Sequence, residues 1–248
     1  HRRFRFMTAH PETTLEANPD DVTPELADAW RALGINRLSM GVQSFDDRVL
    51  RYLGRRHDAD GARRACDIIA ARFQNWSIDL IYGAPPVDAW APTLAETASR
   101  APRHVSAYSL TYEEGTPFAA RAHESVDEET SLDMHHLAGA LLEGYAHYEI
   151  SNFAQPGYAC AHNLIYWRNQ AYAGFGPGSY SFMEGKRMRN LSDIEAYMAQ
   201  PGLKAESLLL TSREILIETL IQHFRLASGL SKSAFTQRFG KSPEQEFG

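Results

Sequence analysis

Two kinds of apolar pattern alternate along the first half of the chain. Short apolar runs bounded by turn-forming residues indicate β-strands at residues 12–19, 35–43, 76–85 and 104–112. Apolar residues at helical spacing fill the segments between them, at residues 23–34, 44–53, 58–73 and 88–101. Strands that alternate with helices favour right-handed βαβ units and a parallel sheet. This half is therefore predicted to be α/β, either part of a TIM-like barrel or a doubly wound sheet.

Capping residues predict where two of these helices begin. Thr23 is a good N-cap, Pro24 follows it at the first helical position, and Gly34 comes just past the last turn. Ser44 and Asp46 are both suited to cap the next helix.

The pattern changes after Glu114. Residues 127–148 have the spacing of one long helix, and the segment YEISNFA that overlaps its end is predicted to form one short strand. Another helix is predicted over residues 211–226, and a small helical module follows it. This half is therefore not a simple continuation of the βαβ units.

Composition excludes several classes of protein. Of the 248 residues, 44% are apolar and 23% are charged, and the net charge of −6 offers no polybasic face for nucleic acid or an anionic membrane. No apolar run approaches the ~20 residues of a membrane-spanning helix. Two cysteines far apart, Cys66 and Cys160, favour a reducing compartment, and we expect a cytoplasmic protein. The chain starts at His1 rather than at a methionine, and it ends at Gly248 inside a helical pattern. We therefore expect it to be a fragment that is truncated at both ends.

Polar residues near the carboxyl ends of the predicted strands are the candidates for chemistry, because parallel α/β sheets bind ligands there. Glu16, Gln43, Asp79 and Tyr108 occupy such positions, and Arg55 follows in the interrupted helix. Glu16 and Gln43 suit ribose hydroxyls or an amino group, and Arg55 suits a carboxylate. Asp79 lies in an apolar run, where a carboxylate is costly unless it is paired or bound to a ligand. The alternative is that Asp79 caps the amide groups of a neighbouring loop.

Two further patterns favour structural roles. His135 and His136 are adjacent on a predicted helix, so they point about 100° apart and cannot form one metal-binding face. Gly174, Gly176 and Gly178 follow no clear strand. Their spacing favours a bent or closely approached backbone over a phosphate-binding loop.

His162 has two interpretations from the residues alone. Cys160 and His162 flank a single residue, which is too tight a spacing for a structural zinc site without partners nearby. On a helix, His162 shares a face with Ile165, Tyr166 and Asn169, as residues of any amphipathic helix would. His162 is therefore either a hydrogen-bonded structural histidine or a ligand.

Seven motifs in order along the chain resemble a known family. They are TLEANP, GINRLSMGVQSFDD, LGRRHD, IDLIYGAP, HVSAYSLTYEEGTPF, YEISNFA and HNLIYWRNQAYAGFGPG. Together they resemble the HemW-type heme chaperones, which are radical S-adenosylmethionine (SAM) proteins similar to oxygen-independent coproporphyrinogen III oxidases. The resemblance covers nearly the whole chain. It implies a partial TIM-like radical SAM barrel that lacks its first βα units, followed by an α+β region and a truncated helical module.

The resemblance also implies a division into regions and a set of binding residues. The regions are a partial barrel (1–118), an α+β extension with the HNxxYW motif (119–205) and a truncated helical module (206–248). The positions that match SAM contacts in the superfamily are Glu16, Gln43, Arg55 and Asp79, with Arg56 a competitor of Arg55. The resemblance makes His162 a candidate heme contact, since neutral imidazole is a usual axial ligand of heme iron. Tyr166 and Trp167 are expected to wall the flat macrocycle.

The chain departs from the family pattern in three places. The cluster motif CxxxCxxC is absent, and the two cysteines do not have its spacing, so the [4Fe–4S] cluster is expected only in a full-length protein. This fragment alone is expected to be inactive in reductive SAM cleavage. GAP at residues 83–85 stands where GLP is usual. Ser179 and Tyr180 stand where the family tends to have Ala-His, which leaves His162 as the main heme candidate.

The resemblance implies a cytoplasmic chaperone that binds SAM and heme and delivers heme to respiratory proteins. Its expected partners are those heme acceptors and no nucleic acid, with a homodimer and peripheral membrane association through partners as further expectations. An oxygen-independent coproporphyrinogen III dehydrogenase is the first alternative, and the HNLIYW motif argues against it. The second is a metal-dependent barrel hydrolase that uses Asp79 with a histidine, although no H-x-H or HExxH spacing supports it.

Overall fold

The computed structural model describes residues 11–247, so the predicted fragment ends at His1 and Gly248 lie outside the described residues. The chain divides into two compact units, one up to Ala159 (unit 1) and one from Cys160 onward (unit 2). The predicted boundaries at residues 118 and 205 stay predictions. Within residues 11–247, every helix is too short or too polar to cross a membrane.

Unit 1 is built on a six-stranded sheet in the order β1-β2-β3-β4-β6-β5. Its strands are β1 Thr14–Ala17, β2 Arg37–Gln43, β3 Asn75–Tyr82, β4 His104–Ser109, β5 Ala146–Glu149 and β6 Asn152–Ala154. Its helices are α1 Pro24–Ala32, α2 Asp47–Tyr52, α3 Ala59–Ala70, α4 Trp90–Arg100 and α5 Glu128–Leu141. Strands β1 to β4 are parallel, while β6 is antiparallel to both β4 and β5. The predicted α/β architecture with a parallel sheet is confirmed.

One face of this sheet is apolar and forms the core of unit 1. Every second residue of the central strands points to this face, including Leu38, Ile78 and Val105, which are fully buried. The amphipathic helices cover it with side chains such as Ile69 and Leu94. Burial of each such aliphatic side chain contributes about 1.5–3 kcal/mol. This alternation is why the strands and helices form at these positions.

The capping residues act as the sequence predicts. The Thr23 side chain accepts from the Leu26 amide, and Pro24 occupies the first turn of α1. Of the two possible caps for α2, Asp46 accepts from the amides at the helix start. Ser44 instead turns inward and contacts the hydroxyl of Thr93.

Two predicted elements after Glu114 are wrong in their extent. The helix predicted over residues 127–148 ends at Leu141, and the segment predicted as one strand contains parts of β5 and β6, which form an antiparallel pair. His147 of β5 faces Phe153 of β6, which itself pairs with Val105 of the sheet. Pairing of β5 with β6, which itself pairs with the distant strand β4, therefore overrides the local helical spacing of residues 142–148.

Unit 2 combines a small antiparallel sheet with short helices. Its strands, in sheet order, are β7 Tyr180–Met183, β8 Lys186–Asn190 and β9 Lys204–Leu209. Its helices are α6 Ala161–Trp167, α7 Ile194–Ala199, α8 Ser212–His223, α9 Lys232–Phe239 and α10 Pro243–Phe247. Helix α8 begins with a capping box between Thr211 and Glu214. Helix α6, which carries the HNLIYW motif, packs against α8.

A charged cluster joins α3 and α4 on the outside of unit 1. Both oxygens of Glu96 accept from Arg63, at 2.9 Å each, and Oε1 also accepts from Arg100. Burial alone would raise the pKa of Glu96, but the hydrogen bonds from Arg63 and Arg100 hold it below its usual value. The side chain is 25% exposed, so water screens the cluster only in part.

We expect Glu96→Gln to lower the free energy of unfolding by about 1 kcal/mol at neutral pH, because one charge-assisted bidentate contact is lost. A carboxyl whose folded pKa is depressed stabilises the fold above its unfolded pKa and loses that effect as the pH falls through its folded pKa. The difference between wild type and variant should therefore shrink on acidification. Urea unfolding at about pH 7 and about pH 3 measures it.

Asp60→Asn is the matched control for this prediction. Asp60 also contacts Arg63, but its side chain is 74% exposed, so its removal should change the unfolding midpoint much less. A loss of stability in Glu96→Gln that is the same at both pH values would contradict the electrostatic explanation.

Candidate functional site

The face of the sheet that points away from the core carries polar side chains. Strand register aligns Glu16 with Ser39, Ser39 with Ser77, and Asp79 with Ser106. Parallel sheets are usually apolar on both faces. A polar face that reaches across four strands therefore marks this side of the sheet as the one suited to a polar ligand.

Three of the four predicted SAM contacts lie together at the carboxyl end of this face. Glu16, Gln43 and Asp79 line one cavity of about 720 Å³, and Tyr108 lines it with them. That volume falls within the ~300–1,000 Å³ typical of cofactor sites. The prediction that the strand ends converge is confirmed for these residues, whereas their contact with SAM stays a prediction.

A bulge in β2 directs Gln43 at the cavity. The register of β2 against β3 shifts between Met40 and Gln43, and Gln43 has a left-handed backbone with φ of 67°. A non-glycine residue in this region stores strain, and bulges commonly re-aim side chains next to binding sites. Gly41 makes room for this arrangement, because a Cβ there would lie 2.9 Å from Nε2 of Gln43.

Arg55 lies beside the cavity rather than in its lining. Its Nη2 donates to the carbonyl of Gly41 at 3.3 Å and to the side chain of Asn18, while its buried Nε has no hydrogen-bond partner among the described residues. Arg56 is directed outward and forms an ion pair with Asp20 at 3.5 Å. Of the two competing arginines, Arg55 is therefore the one directed at the sheet edge.

Asp79 receives its hydrogen bonds from serine hydroxyls on neighbouring strands. Ser39 donates to Oδ2 at 2.8 Å, and Ser106 also bonds to the carboxylate. These donors differ from the loop amides that the alternative interpretation of Asp79 requires. Burial raises the pKa of Asp79, although the two serines and the charge on Arg37 act in the opposite direction.

The cavity residues fit SAM in donor chemistry. The carboxylates of Glu16 and Asp79 can accept from ribose hydroxyls or an ammonium group, and the Gln43 amide can do either. The buried Nε of Arg55, which has no hydrogen-bond partner among residues 11–247, is one donor that a carboxylate could use.

The residues present do not fit a [4Fe–4S] cluster. Cys66 is buried in the core of unit 1, where burial raises the pKa of its thiol to about 12, and Cys160 is the only other cysteine. Within residues 11–247, no three or more His, Cys, Asp or Glu side chains are placed to hold a metal ion.

On helix α6, the rings of His162 and Tyr166 contact each other, whereas the ring of Trp167 packs against Arg225. The rings of His162 and Tyr166 meet edge to face with centroids 4.9 Å apart, as expected for residues four apart on a helix. The face of the Trp167 ring is covered by the guanidinium of Arg225 at 4.3 Å, and its Nε1 is buried without a hydrogen-bond partner among the described residues. The structure therefore brings two of the three predicted heme residues into contact.

The glycine-rich loop after α6 closes on the chain itself. A Cβ at Gly174 would lie 2.1 Å from the carbonyl oxygen of Tyr180, so only glycine fits. The buried amide of Asn190 donates to the carbonyls of Gly174 and Gly176. The predicted closely approached backbone is confirmed.

Sequence reasoning missed the polar residues that lie deeper on the same face, namely Arg37, Ser39, Ser77 and Ser106. A signal for them exists. RLSMGVQ and NWSIDLIY alternate polar and apolar residues with a period of two, which places Ser77 on the same face as Asp79.

Comparison with known proteins identifies the family. The model of the radical SAM superfamily matches residues 2–96. The chain is 35% identical over 240 residues to heme chaperone HemW from Synechocystis, and 33% identical over 248 residues to heme chaperone HemW from Bacillus subtilis. Coproporphyrinogen III oxidase (HemN) from Escherichia coli, a radical SAM enzyme, has a similar fold, with a TM-score of 0.77 over 93% of this chain at 23% identity.

These matches cover most of this chain but only part of each relative. They include 89% of this chain and 57% of the Synechocystis protein, 93% and 64% for the Bacillus protein, and 58% of the E. coli enzyme. The fold, the sequence relatives and the family model agree. The chain therefore belongs to the radical SAM superfamily and is similar within it to the HemW-type heme chaperones.

Proposed function

We propose that this chain forms SAM-binding and heme-binding parts of a radical SAM heme chaperone. The observation that carries the proposal is the meeting of Glu16, Gln43 and Asp79 in one cavity at the carboxyl edge of the sheet. A heme chaperone is what its sequence relatives are named, and the HNxxYW motif is present in full.

In this proposal the cavity residues bind and orient SAM. Glu16, Gln43 and Asp79 engage its hydroxyl and ammonium groups, and Arg55 holds its carboxylate from the rim. SAM supplies radical chemistry in this superfamily when a reduced cluster is present. The residues described here provide binding and orientation, and no cleavage step is assigned to them.

The proposed heme contact is His162 on α6. A neutral imidazole is a usual axial ligand for heme iron, and the ring of His162 contacts that of Tyr166 edge to face. Tyr166 is proposed to wall one side of the macrocycle. Trp167 is proposed as a more distant wall, because Arg225 covers one face of its ring.

The proposed cellular role is delivery of heme to respiratory proteins in the cytoplasm, at a membrane surface reached through those partners. A homodimer is a further part of the proposal. Support comes from two bacterial relatives that are both named heme chaperone HemW, a name that describes those proteins and not this chain.

The two other functions have weaker support. The fold likeness to the E. coli coproporphyrinogen III oxidase is at 23% identity and shows only the fold, while HNLIYW favours the chaperone group. For the metal-dependent hydrolase, the side chains that bond to Asp79 are serines, and within residues 11–247 no three His, Cys, Asp or Glu side chains are placed to hold a metal ion.

We expect Asp79→Asn to weaken SAM binding about tenfold, because the variant loses charge-assisted hydrogen bonds to the ligand. The same variant should be about as stable as wild type at neutral pH, because relief from burying an ionised carboxyl offsets the loss of its attraction to Arg37. An acid whose folded pKa is raised stabilises the fold below its unfolded pKa and loses that contribution as the pH rises through the folded pKa. Isothermal titration with SAM and urea unfolding measure the two effects.

Asp67→Asn is the control, since Asp67 is an exposed partner of Arg100 on the outside of unit 1. Equal SAM affinity in Asp79→Asn and Asp67→Asn would refute the proposed SAM site. A marked loss of stability in Asp79→Asn would instead support a structural cap.

We expect His162→Ala to lose the Soret shift that accompanies hemin binding, because the proposed axial ligand is removed. Tyr166→Ala should weaken binding by a smaller factor, since it removes a wall and not the ligand. A hemin titration followed by absorbance measures both variants. His136→Ala, which removes an exposed histidine of α5, is the control. A Soret shift that is retained in His162→Ala would remove this residue from the heme site.

A further inference from the structure

We infer that Arg37 is a positioning residue that orients Asp79 through the hydroxyl groups of Ser77 and Ser39. The inference rests on the proposed role of Asp79 in SAM binding and extends that site to the amino end of the strands. Arg37 begins β2, at the opposite end from the cavity. It was not recognised from the sequence.

A continuous line of hydrogen bonds joins the two charged groups. Nη2 of Arg37 donates to Oγ of Ser77 at 3.2 Å, and the hydroxyls of Ser77 and Ser39 are 2.7 Å apart. Ser39 then donates to Oδ2 of Asp79 at 2.8 Å. Each link crosses between the adjacent parallel strands β2 and β3, so the register of these strands fixes the line.

The groups at the two ends of the line, Arg37 and Asp79, determine which hydroxyl donates in each hydrogen bond. A guanidinium can only donate and a carboxylate can only accept. Ser77 therefore accepts from Arg37 and donates to Ser39, which in turn donates to Asp79. Hydrogen bonds that all run in one direction polarise one another, so the positive end strengthens the bond at the negative end.

The environment of Arg37 supports this role. Arg37 is 3% exposed. Among the described residues, its guanidinium donates to Ser77 and to no carboxylate, and its Nε has no hydrogen-bond partner. A buried charge without a direct counter-ion is costly unless it interacts with an opposite charge nearby. Asp79 supplies that charge through the two serines.

Other titratable groups near Asp79 do not replace Arg37. Glu16 on β1 acts on Asp79 as a like charge and raises its pKa, and the phenol of Tyr108 on β4 is neutral, since burial raises its pKa. Burial and the charge on Arg37 lower the pKa of His104 to about 3, so this histidine is also neutral. Arg37 is therefore the positive group that favours the ionised form of Asp79.

The direct test is the titration of the Asp79 carboxyl, followed by carbon NMR of protein labelled at the aspartate side-chain carboxyl carbon and assigned with Asp79→Asn. Arg37→Met and Ser77→Ala should both raise the pKa of Asp79, because each removes support for its ionised form. Arg37→Lys keeps the charge and should restore part of the effect. If Arg37→Met fails to fold, Ser77→Ala still breaks the line by loss of a single oxygen.

Ser44→Ala is the matched control, since Ser44 is a buried serine just after β2 that bonds to Thr93 and not to this line. A pKa of Asp79 that is the same in Ser77→Ala, Arg37→Met and Ser44→Ala would overturn the inference. A merely structural role for Ser77 would lower stability without moving this pKa.

Binding of SAM separates this inference from the proposed function. Ser77→Ala should weaken SAM binding by about tenfold at mildly acidic pH, as expected for loss of a charge-assisted hydrogen bond, and by less at higher pH where Asp79 is ionised in both proteins. If Asp79→Asn leaves SAM affinity unchanged while the pKa shifts appear, the SAM site is refuted and the positioning role stands. If Asp79→Asn weakens SAM binding but Ser77→Ala does not move the pKa, the positioning role is refuted.

Discussion

The difference in polarity between the two faces of one sheet is the constraint on which unit 1 depends. Strands β2 and β3 alternate apolar and polar residues, so a single register places Leu38 and Ile78 against the helices and Ser39 and Ser77 on the other side. A slip of one residue would exchange the faces and bury the polar set in the core. The hydrophobic core therefore fixes the position of the polar face, and with it the cavity at the strand ends.

Unit 2 depends on a different constraint, which is hydrogen bonding by side chains at the carboxyl end of α6. The turn after α6 brings Asn169 into a left-handed conformation, from which its side chain donates to Thr219 on α8. Arg238 of α9 donates to the carbonyls of Arg168 and Asn169 and so satisfies the carboxyl end of α6. The shape of the turn is thus a consequence of hydrogen bonds to two other helices, and these contacts hold the carboxyl end of the helix that contains His162.

Local chemistry was enough to predict the elements whose signals are local. Thr23 and Asp46 cap helices as their residue types imply, and the strand ends converge because all parallel strands point the same way. The helix predicted through residue 148 failed, because β5 pairs with β6, and β6 in turn pairs with β4, which is far away in sequence. The bulge that turns Gln43 and the contacts of Arg55 are equally non-local, since they depend on how neighbouring strands and loops meet. Period-two alternation gave a local signal for Ser77, but the link from Arg37 to Asp79 required the register of two strands.

The polar face also explains how the fold accommodates Asp79, a buried carboxyl group whose pKa is raised. Burial of Asp79 makes its ionised form unfavourable, and an asparagine of similar volume would avoid that cost. The structure instead surrounds the carboxylate with hydroxyl donors and a buried guanidinium, which oppose the effect of burial without removing it. A purely structural hydrogen-bond acceptor at this position would need neither the charge nor Arg37. The arrangement partly stabilises a negative charge beside the cavity, and the proposed contact with the hydroxyl and ammonium donors of a ligand would use that charge.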